Sequence, residues 1–142
     1  MKLSDFAVTH PDAANYLLRD AGKDEFFAMT LCGVSPKAII YNDAQSPGRT
    51  AADIAHELAH LLLMHPPHRL ADATGRRHFD AELEAEANWL GPAILVSEEA
   101  ALVVANRGLR LSDAASAYGV SEELMQMRLN VTGAWKRSRR AA

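Results

Sequence analysis

The chain has 142 residues, is 49% hydrophobic and 23% charged, and carries a net charge of −3, which is typical of one soluble globular domain with a real core. The first residues lack the apolar run of a signal peptide, and no apolar run reaches transmembrane length, so no contact with a membrane is expected. The single cysteine excludes an intrachain disulfide and predicts a reducing, cytoplasmic location.

The N-terminal third contains short segments of different type. Residues 1–20 are predicted to form a loop and a short helix. Residues 26–31 and 38–41 are apolar and bounded by turn formers, which indicates two strands. Two strands so close together predict a small antiparallel sheet directly before the next helix.

The strongest motif is HExxH, formed by residues 56–60. Two histidines four positions apart lie one above the other on a helix, so a single zinc ion can bind both His56 and His60. Glu57, between them, then lies beside the open position of the metal. The motif therefore predicts a metal site, provided that this stretch is helical.

The flanks of the motif favour a helix. Thr50 and Asp53 fit a capping box, and Pro66 follows where the helix should end. At helical spacing the apolar residues form one stripe that faces roughly away from the two histidines. This stripe is predicted to be buried, and it consists of Ile54, Leu58, Leu61 and Leu62.

A catalytic zinc ion usually has three protein ligands, so the two histidines require a third. The chain has no CxxC pair, and the HExxHxxGxxH spacing is absent. His65 lies where the helix should stop and would point away from the pair, which makes it a poor ligand. The acidic residues of a second helix, predicted from Phe79 to about Val96, are the better source.

Helical phase separates the acidic residues of this second helix. Glu82 and Glu86 are predicted to face solvent, whereas Asp80, Glu84 and Asn88 border its apolar stripe. The third ligand is therefore predicted to be Glu84, with Asp80 as the alternative. Asn88, one turn after Glu84, is predicted to hydrogen-bond a ligating imidazole.

Three helices are predicted in the C-terminal part of the chain. One begins at Ser97 and ends near Gly108, and two short helices surround a turn at Gly119. The latter pair resembles a helix-turn-helix, but its second helix begins with Glu122 and Glu123, which would repel DNA phosphates. Nucleic acid is therefore not the expected partner.

The basic residues are concentrated at the C-terminus. Four of the 15 lie in the last seven positions, and the remaining 11, set against 18 acidic residues, leave the rest of the chain at −7. Residues 1–133 are predicted to form a single domain, and residues 134–142 a basic, disordered tail. Only this tail has a charge that suits nucleic acid.

Several stretches resemble the ImmA/IrrE family of metallo-endopeptidases. They are residues 39–49, the HExxH segment, the stretch Glu84-Ala-Glu-Ala-Asn88, and the C-terminal residues 118–121 and 128–129. With the elements above, the resemblance implies an α+β, mainly helical, zincin-like domain over residues 1–133. A small antiparallel sheet precedes its HExxH helix, and a helical hairpin lies at its C-terminus.

The resemblance also implies a gluzincin-like site. One zinc ion would be held by His56, His60 and Glu84, and Glu57 would be the catalytic base. A tetrahedral oxyanion needs a further stabilising group. The sequence leaves three candidates open for it, namely Tyr41, His68 and His78.

Members of that family typically cleave a helix-turn-helix repressor in the cytoplasm of a bacterium or in a phage-related element. The resemblance therefore implies a zinc endopeptidase that cuts one repressor-like or antitoxin-like protein. The alternative is a metal-containing regulatory protein without catalysis, associated with DNA through its C-terminal hairpin. Neither reading specifies an oligomeric state.

Overall fold

The computed structural model describes residues 1–19, 26–31, 37–66 and 80–138, without the side chains of residues 16–19. The strands are β1 (Ala28–Leu31) and β2 (Ala38–Tyr41). The helices are α1 (Leu3–Thr9), α2 (Pro11–Arg19), α3 (Pro47–Leu62), α4 (Ala81–Leu95), α5 (Glu98–Asn106), α6 (Leu111–Tyr118), α7 (Glu122–Val131) and α8 (Ala134–Ser138). The domain is α+β and mainly helical, as predicted. Within these residues no helix is long and apolar enough to cross a bilayer.

The predicted sheet is present directly before α3. Strands β1 and β2 pair antiparallel, with Ala28 opposite Tyr41 and Leu31 opposite Ala38. On the other side of β2, the terminal ammonium of Met1 donates to the carbonyl oxygen of Ile39 at 2.7 Å. The chain start therefore continues the sheet beyond β2, with a parallel bridge between Lys2 and Tyr41.

The prediction of a loop at the N-terminus is wrong, because residues 3–9 form α1. Leu3 and Phe6 lie on the same side of this helix and bury themselves in a small core beneath the sheet. Ser4 donates from its amide and its hydroxyl to the carboxylate of Asp43, which ties α1 to the turn after β2. The other buried members of this core are Ala14, Phe26 and Ile40.

A second and larger core joins the end of α4 to α5, α6, α7 and α8. Its largest fully buried side chains are Val96, Val104, Met125 and Leu129. Arg128 is also buried, and its Nε donates to the carbonyl oxygen of Val96, the C-cap of α4, at 2.7 Å. Burial lowers the pKa of the Arg128 guanidinium below its usual value. This bond connects the C-terminal helices to the helix that carries Glu84.

The three predicted C-terminal helices are confirmed, with Gly119 in the left-handed region between α6 and α7. The turn between these two helices packs against the start of α3. A Cβ on Gly48 would lie 3.1 Å from the backbone nitrogen of Ser121. The first residues of α7 are therefore held against the body of the domain.

The prediction that the chain is disordered from residue 134 is wrong for residues 134–138, which form α8. Ala134 is fully buried, and Trp135 packs against the larger core. Arg137 forms an ion pair with Glu98 on α5. Ala134 and Trp135 thus anchor the beginning of the basic segment. The charge pattern of this segment gave no indication of their packing. Residues 139–142 lie outside the described part of the chain.

Candidate metal centre

Helix α3, which carries the HExxH motif, begins earlier than the predicted capping box. Its N-cap is Ser46, whose hydroxyl accepts from the amide of Arg49, and Pro47 occupies the first position. Asp53 pairs instead with the Arg49 guanidinium at 3.1 Å. Burial raises the pKa of the Asp53 carboxyl, and the Arg49 guanidinium partly opposes that effect.

The buried face of α3 differs from the prediction. Ala55 and Ala59 are fully buried, whereas Leu58 is exposed and Leu62 is 65% exposed. The predicted leucine stripe is therefore wrong for these two residues. Helix α4 packs so closely on α3 that only small side chains fit between the two helices.

The close approach of α4 is fixed at Gly91. A Cβ at this position would lie 3.2 Å from both the Cα and the backbone nitrogen of His56. Ala87, one turn earlier on the same face, is fully buried. Glu84 precedes Ala87 by a further turn, so the packing directs its carboxylate towards the histidines of α3. Pro92 does not end the helix, because α4 continues to Leu95.

The structure brings His56, His60 and Glu84 together. The Nε2 atoms of the two imidazoles lie 3.1 Å apart. One Glu84 carboxylate oxygen lies 3.2 Å from Nε2 of His56, and the other lies 3.6 Å from Nε2 of His60. All three side chains are largely buried. Two helices thus supply a cluster of the composition that the sequence predicted.

This cluster fits a zinc ion in its geometry. Ligands about 2.0–2.1 Å from a tetrahedral zinc ion lie about 3.3 Å from one another, and the observed separations bracket that value. The chemistry also fits, because a carboxylate and the bare nitrogens of neutral imidazoles all present lone pairs. A cation at the centre of the cluster can accept a lone pair from all three groups, whereas a shared proton can bridge only two of them.

Glu57 follows His56 in the sequence, and a residue of the sheet holds its side chain. The hydroxyl of Thr30, in the middle of β1, donates to Oε2 of Glu57 at 2.6 Å. In the described part of the chain, Oε1 has no hydrogen-bond donor. Sequence reasoning missed Thr30, because it lies 27 positions from Glu57 on a different element.

His65 and Glu86 form a second contact that the sequence did not reveal. Nδ1 of His65 lies 2.8 Å from Nδ1 of His60, and its Nε2 lies 2.9 Å from Oε2 of Glu86. The His65 ring is only 4% exposed. His65 is outside the group formed by His56, His60 and Glu84, but it does not point away from the pair, because α3 ends before it and its ring contacts His60. Glu86 is exposed, as predicted, but its carboxylate also contacts the His65 ring.

Two further residues of the second helix do not have the roles predicted for them. Asp80 is the N-cap of α4 and accepts from the amides of Glu82 and Leu83, so it is not a ligand. Asn88 is exposed, and within the described residues it makes no hydrogen bond to an imidazole. His65, and not Asn88, is the partner that the structure gives to a ligating ring.

Of the three candidates for oxyanion stabilisation, Tyr41 lies in the described part of the chain. Tyr41 shares a sheet face with Thr30, because Ala28 and Tyr41 are paired and Ala28 is two residues from Thr30. Its hydroxyl makes no hydrogen bond with a described residue. His68 and His78 lie outside the described residues.

Two imidazoles from one helix, a carboxylate from the next, and a glutamate between the histidines define the metal site of the HExxH metallopeptidases. The family model described as the IrrE N-terminal-like domain, a peptidase family, matches residues 9–130. The chain therefore belongs to the ImmA/IrrE family of metallopeptidases. Neither the curated proteins nor the solved structures compared with the chain gave a match.

Proposed function

We propose that this chain is a zinc-dependent endopeptidase in which His56, His60 and Glu84 hold one zinc ion. The observation that carries the proposal is the convergence of two Nε2 atoms and a carboxylate at the spacing of zinc ligands. Family membership supports the same chemistry. The donor set of two imidazoles and one carboxylate favours zinc over calcium or magnesium, which prefer oxygen ligands.

Glu57 is the proposed general base. A bound zinc ion supplies Lewis acidity, which polarises the scissile carbonyl and brings the pKa of water towards neutrality. Glu57 takes the proton from the attacking water and delivers it to the leaving nitrogen. Because Thr30 donates to Oε2, Oε1 is the oxygen that faces this task. Thr30 thereby limits the rotation of the carboxylate.

The proposed substrate is a protein, namely a cytoplasmic helix-turn-helix repressor or an antitoxin-like partner. The support is family membership and the family resemblance of the residues around the site. A cytoplasmic location accords with the single cysteine of the chain. Cleavage would then release transcription from repression.

The DNA-associated alternative has less support. Helix α7 would have to present its first turn to the major groove. That turn begins with Glu122 and Glu123, and its N-cap Ser121 lies beside Gly48 of α3. Like charge and packing against α3 both oppose insertion of α7 into DNA.

Incubation with a helix-turn-helix repressor or antitoxin-like protein from the same genome tests the proposal. Intact mass spectrometry should detect two new fragments of that protein with the zinc-loaded chain. The Glu57→Gln variant should retain one zinc ion per chain and produce no fragments. A stoichiometric complex without new termini would favour the non-catalytic alternative, and unchanged cleavage by Glu57→Gln would contradict the role of Glu57.

A further inference from the structure

His60 has a hydrogen-bonded chain behind it that leads to the surface. Its Nε2 faces the metal cluster, and its Nδ1 lies 2.8 Å from Nδ1 of His65. Nε2 of His65 in turn lies 2.9 Å from the carboxylate of Glu86 on α4. The ring between them is almost fully buried, whereas the carboxylate is 61% exposed. The chain therefore links a metal-facing imidazole to a solvated acid on the second helix.

The end of α3 is shaped to place His65 there. The amide of Met64 donates to the carbonyl of Leu61, and the amide of His65 donates to that of His60, which together form a Schellman motif. Met64 adopts φ 55°, the left-handed conformation that this motif requires. In a Schellman motif, the residues that His60 and His65 represent here are often in apolar contact. In this chain they are two imidazoles, with ring centroids 4.9 Å apart.

The proton positions along this chain follow from Glu86. A carboxylate only accepts hydrogen bonds, so the neutral His65 ring must carry its proton on Nε2. Nδ1 of His65 is then an acceptor. Its neighbour, Nδ1 of His60, must be the donor. This arrangement leaves the lone pair of His60 on Nε2, where the metal cluster needs it.

We propose that His65 and Glu86 are positioning residues that fix the tautomer and the orientation of His60 for zinc binding. This inference rests on the proposed zinc site. His65 touches neither substrate nor metal and acts only through the ring of His60. Outer partners of this kind typically change metal affinity by about 10- to 100-fold.

Two substitutions at position 65 separate this role from simple packing. His65→Leu fills the space but offers no acceptor, and it should weaken zinc affinity by about 10- to 100-fold. His65→Asn places an amide oxygen near the former Nδ1 and should restore most of that affinity. Zinc affinity is measured by competition with a chromophoric chelator, after circular dichroism has shown that each variant is folded.

The carboxylate is tested with a matched control on the same helix. Glu86→Ala should weaken zinc binding in the wild-type background, by up to about tenfold because its solvated end can be replaced by water. Glu82→Ala removes the same charge from an exposed position one turn away and should change nothing. In the His65→Leu background, Glu86→Ala should have no further effect, since the path to His60 is already broken.

Nitrogen-15 NMR of the zinc-loaded chain supplies a readout that packing alone would not move. Nδ1 of His60 and Nε2 of His65 should carry the protons. A proton on Nδ1 of His65, or zinc affinity that is equal in His65→Leu and wild type, would overturn the inference. If wild type binds zinc but cleaves nothing, the peptidase proposal fails while this inference stands on its affinities. If wild type binds no zinc, both fail.

Discussion

Gly91 lies directly against the backbone of His56, and this contact sets the distance between the two helices that form the candidate metal centre. The nearest backbone atoms of His56 would lie 3.2 Å from a Cβ at position 91. Gly91 and Glu84 are two turns apart on α4, so they face the same neighbour. The absence of a side chain at Gly91 thus determines how closely the carboxylate of Glu84 approaches α3.

Gly91→Ala should therefore weaken the metal centre. The added methyl group pushes α4 away from α3, which should cost about 1–3 kcal/mol of stability and separate Glu84 from the imidazoles. The measurements are chemical denaturation and zinc affinity. Ala85→Val, which adds bulk to an exposed position of the same helix, should leave zinc affinity unchanged. Equal zinc affinity in Gly91→Ala and wild type would show that the two helices accommodate the methyl group without separating Glu84 from the imidazoles.

Thr30→Val should reduce the turnover number without changing zinc affinity. The substitution preserves the shape of the side chain and removes the hydroxyl that orients Glu57. Hydrogen bonds to charged groups contribute about 1.5–3 kcal/mol, so a loss of about 10- to 100-fold in turnover is expected. Thr30→Ser retains the hydroxyl and should recover most of the rate. A Thr30→Val variant as active as wild type would exclude Thr30 from positioning the base.

Met64→Gly should stabilise the protein. Met64 is 87% exposed and adopts a left-handed conformation that disfavours side chains, so glycine removes strain without losing buried surface. The gain in the free energy of unfolding should be up to about 1 kcal/mol in urea denaturation. At the neighbouring Leu63, which is right-handed with φ −78°, glycine should destabilise instead. Destabilisation by both substitutions would contradict this account of the end of α3.

Asp43 should make stability depend on pH on the acidic side. The side-chain and backbone hydrogen bonds from Ser4 hold the pKa of this carboxyl below its ordinary value of 3.8. A lowered pKa in the folded state means that the contribution is complete above 3.8 and is lost as the pH falls through the folded value. Asp43→Asn should be less stable than wild type at pH 7, and the difference should shrink below the unfolded pKa. A difference that is constant from pH 7 to pH 2 would rule out the ionic contribution.

The sequence was sufficient to predict that His56, His60 and Glu84 lie together, because each member is fixed by local helical phase. The spacing of His56 and His60 places both on one face, and Glu84 lies at the edge of an apolar stripe. Such reasoning requires only that the segments be helical. It also predicted the sheet before α3 and the helices around Gly119.

The contacts around that cluster depend on tertiary packing between segments that are distant in sequence. Hydrophobic periodicity does not predict such packing. Hydrophobicity assigned Leu62 to the interior, but helix packing at Gly91 admits only alanines. Thr30 reaches Glu57 from another element, and a turn returns His65 to His60. Neither contact has a signature in the sequence.

The most direct test of the account is the zinc stoichiometry and affinity of Glu84→Ala beside wild type. Wild type should bind one zinc ion per chain. Glu84→Ala should bind it more than about 100-fold more weakly, since even outer partners of a ligand change affinity by about 10- to 100-fold. Glu82→Ala, with the same loss of charge on the same helix, should match wild type. Undiminished zinc affinity in Glu84→Ala would contradict a metal centre built from α3 and α4.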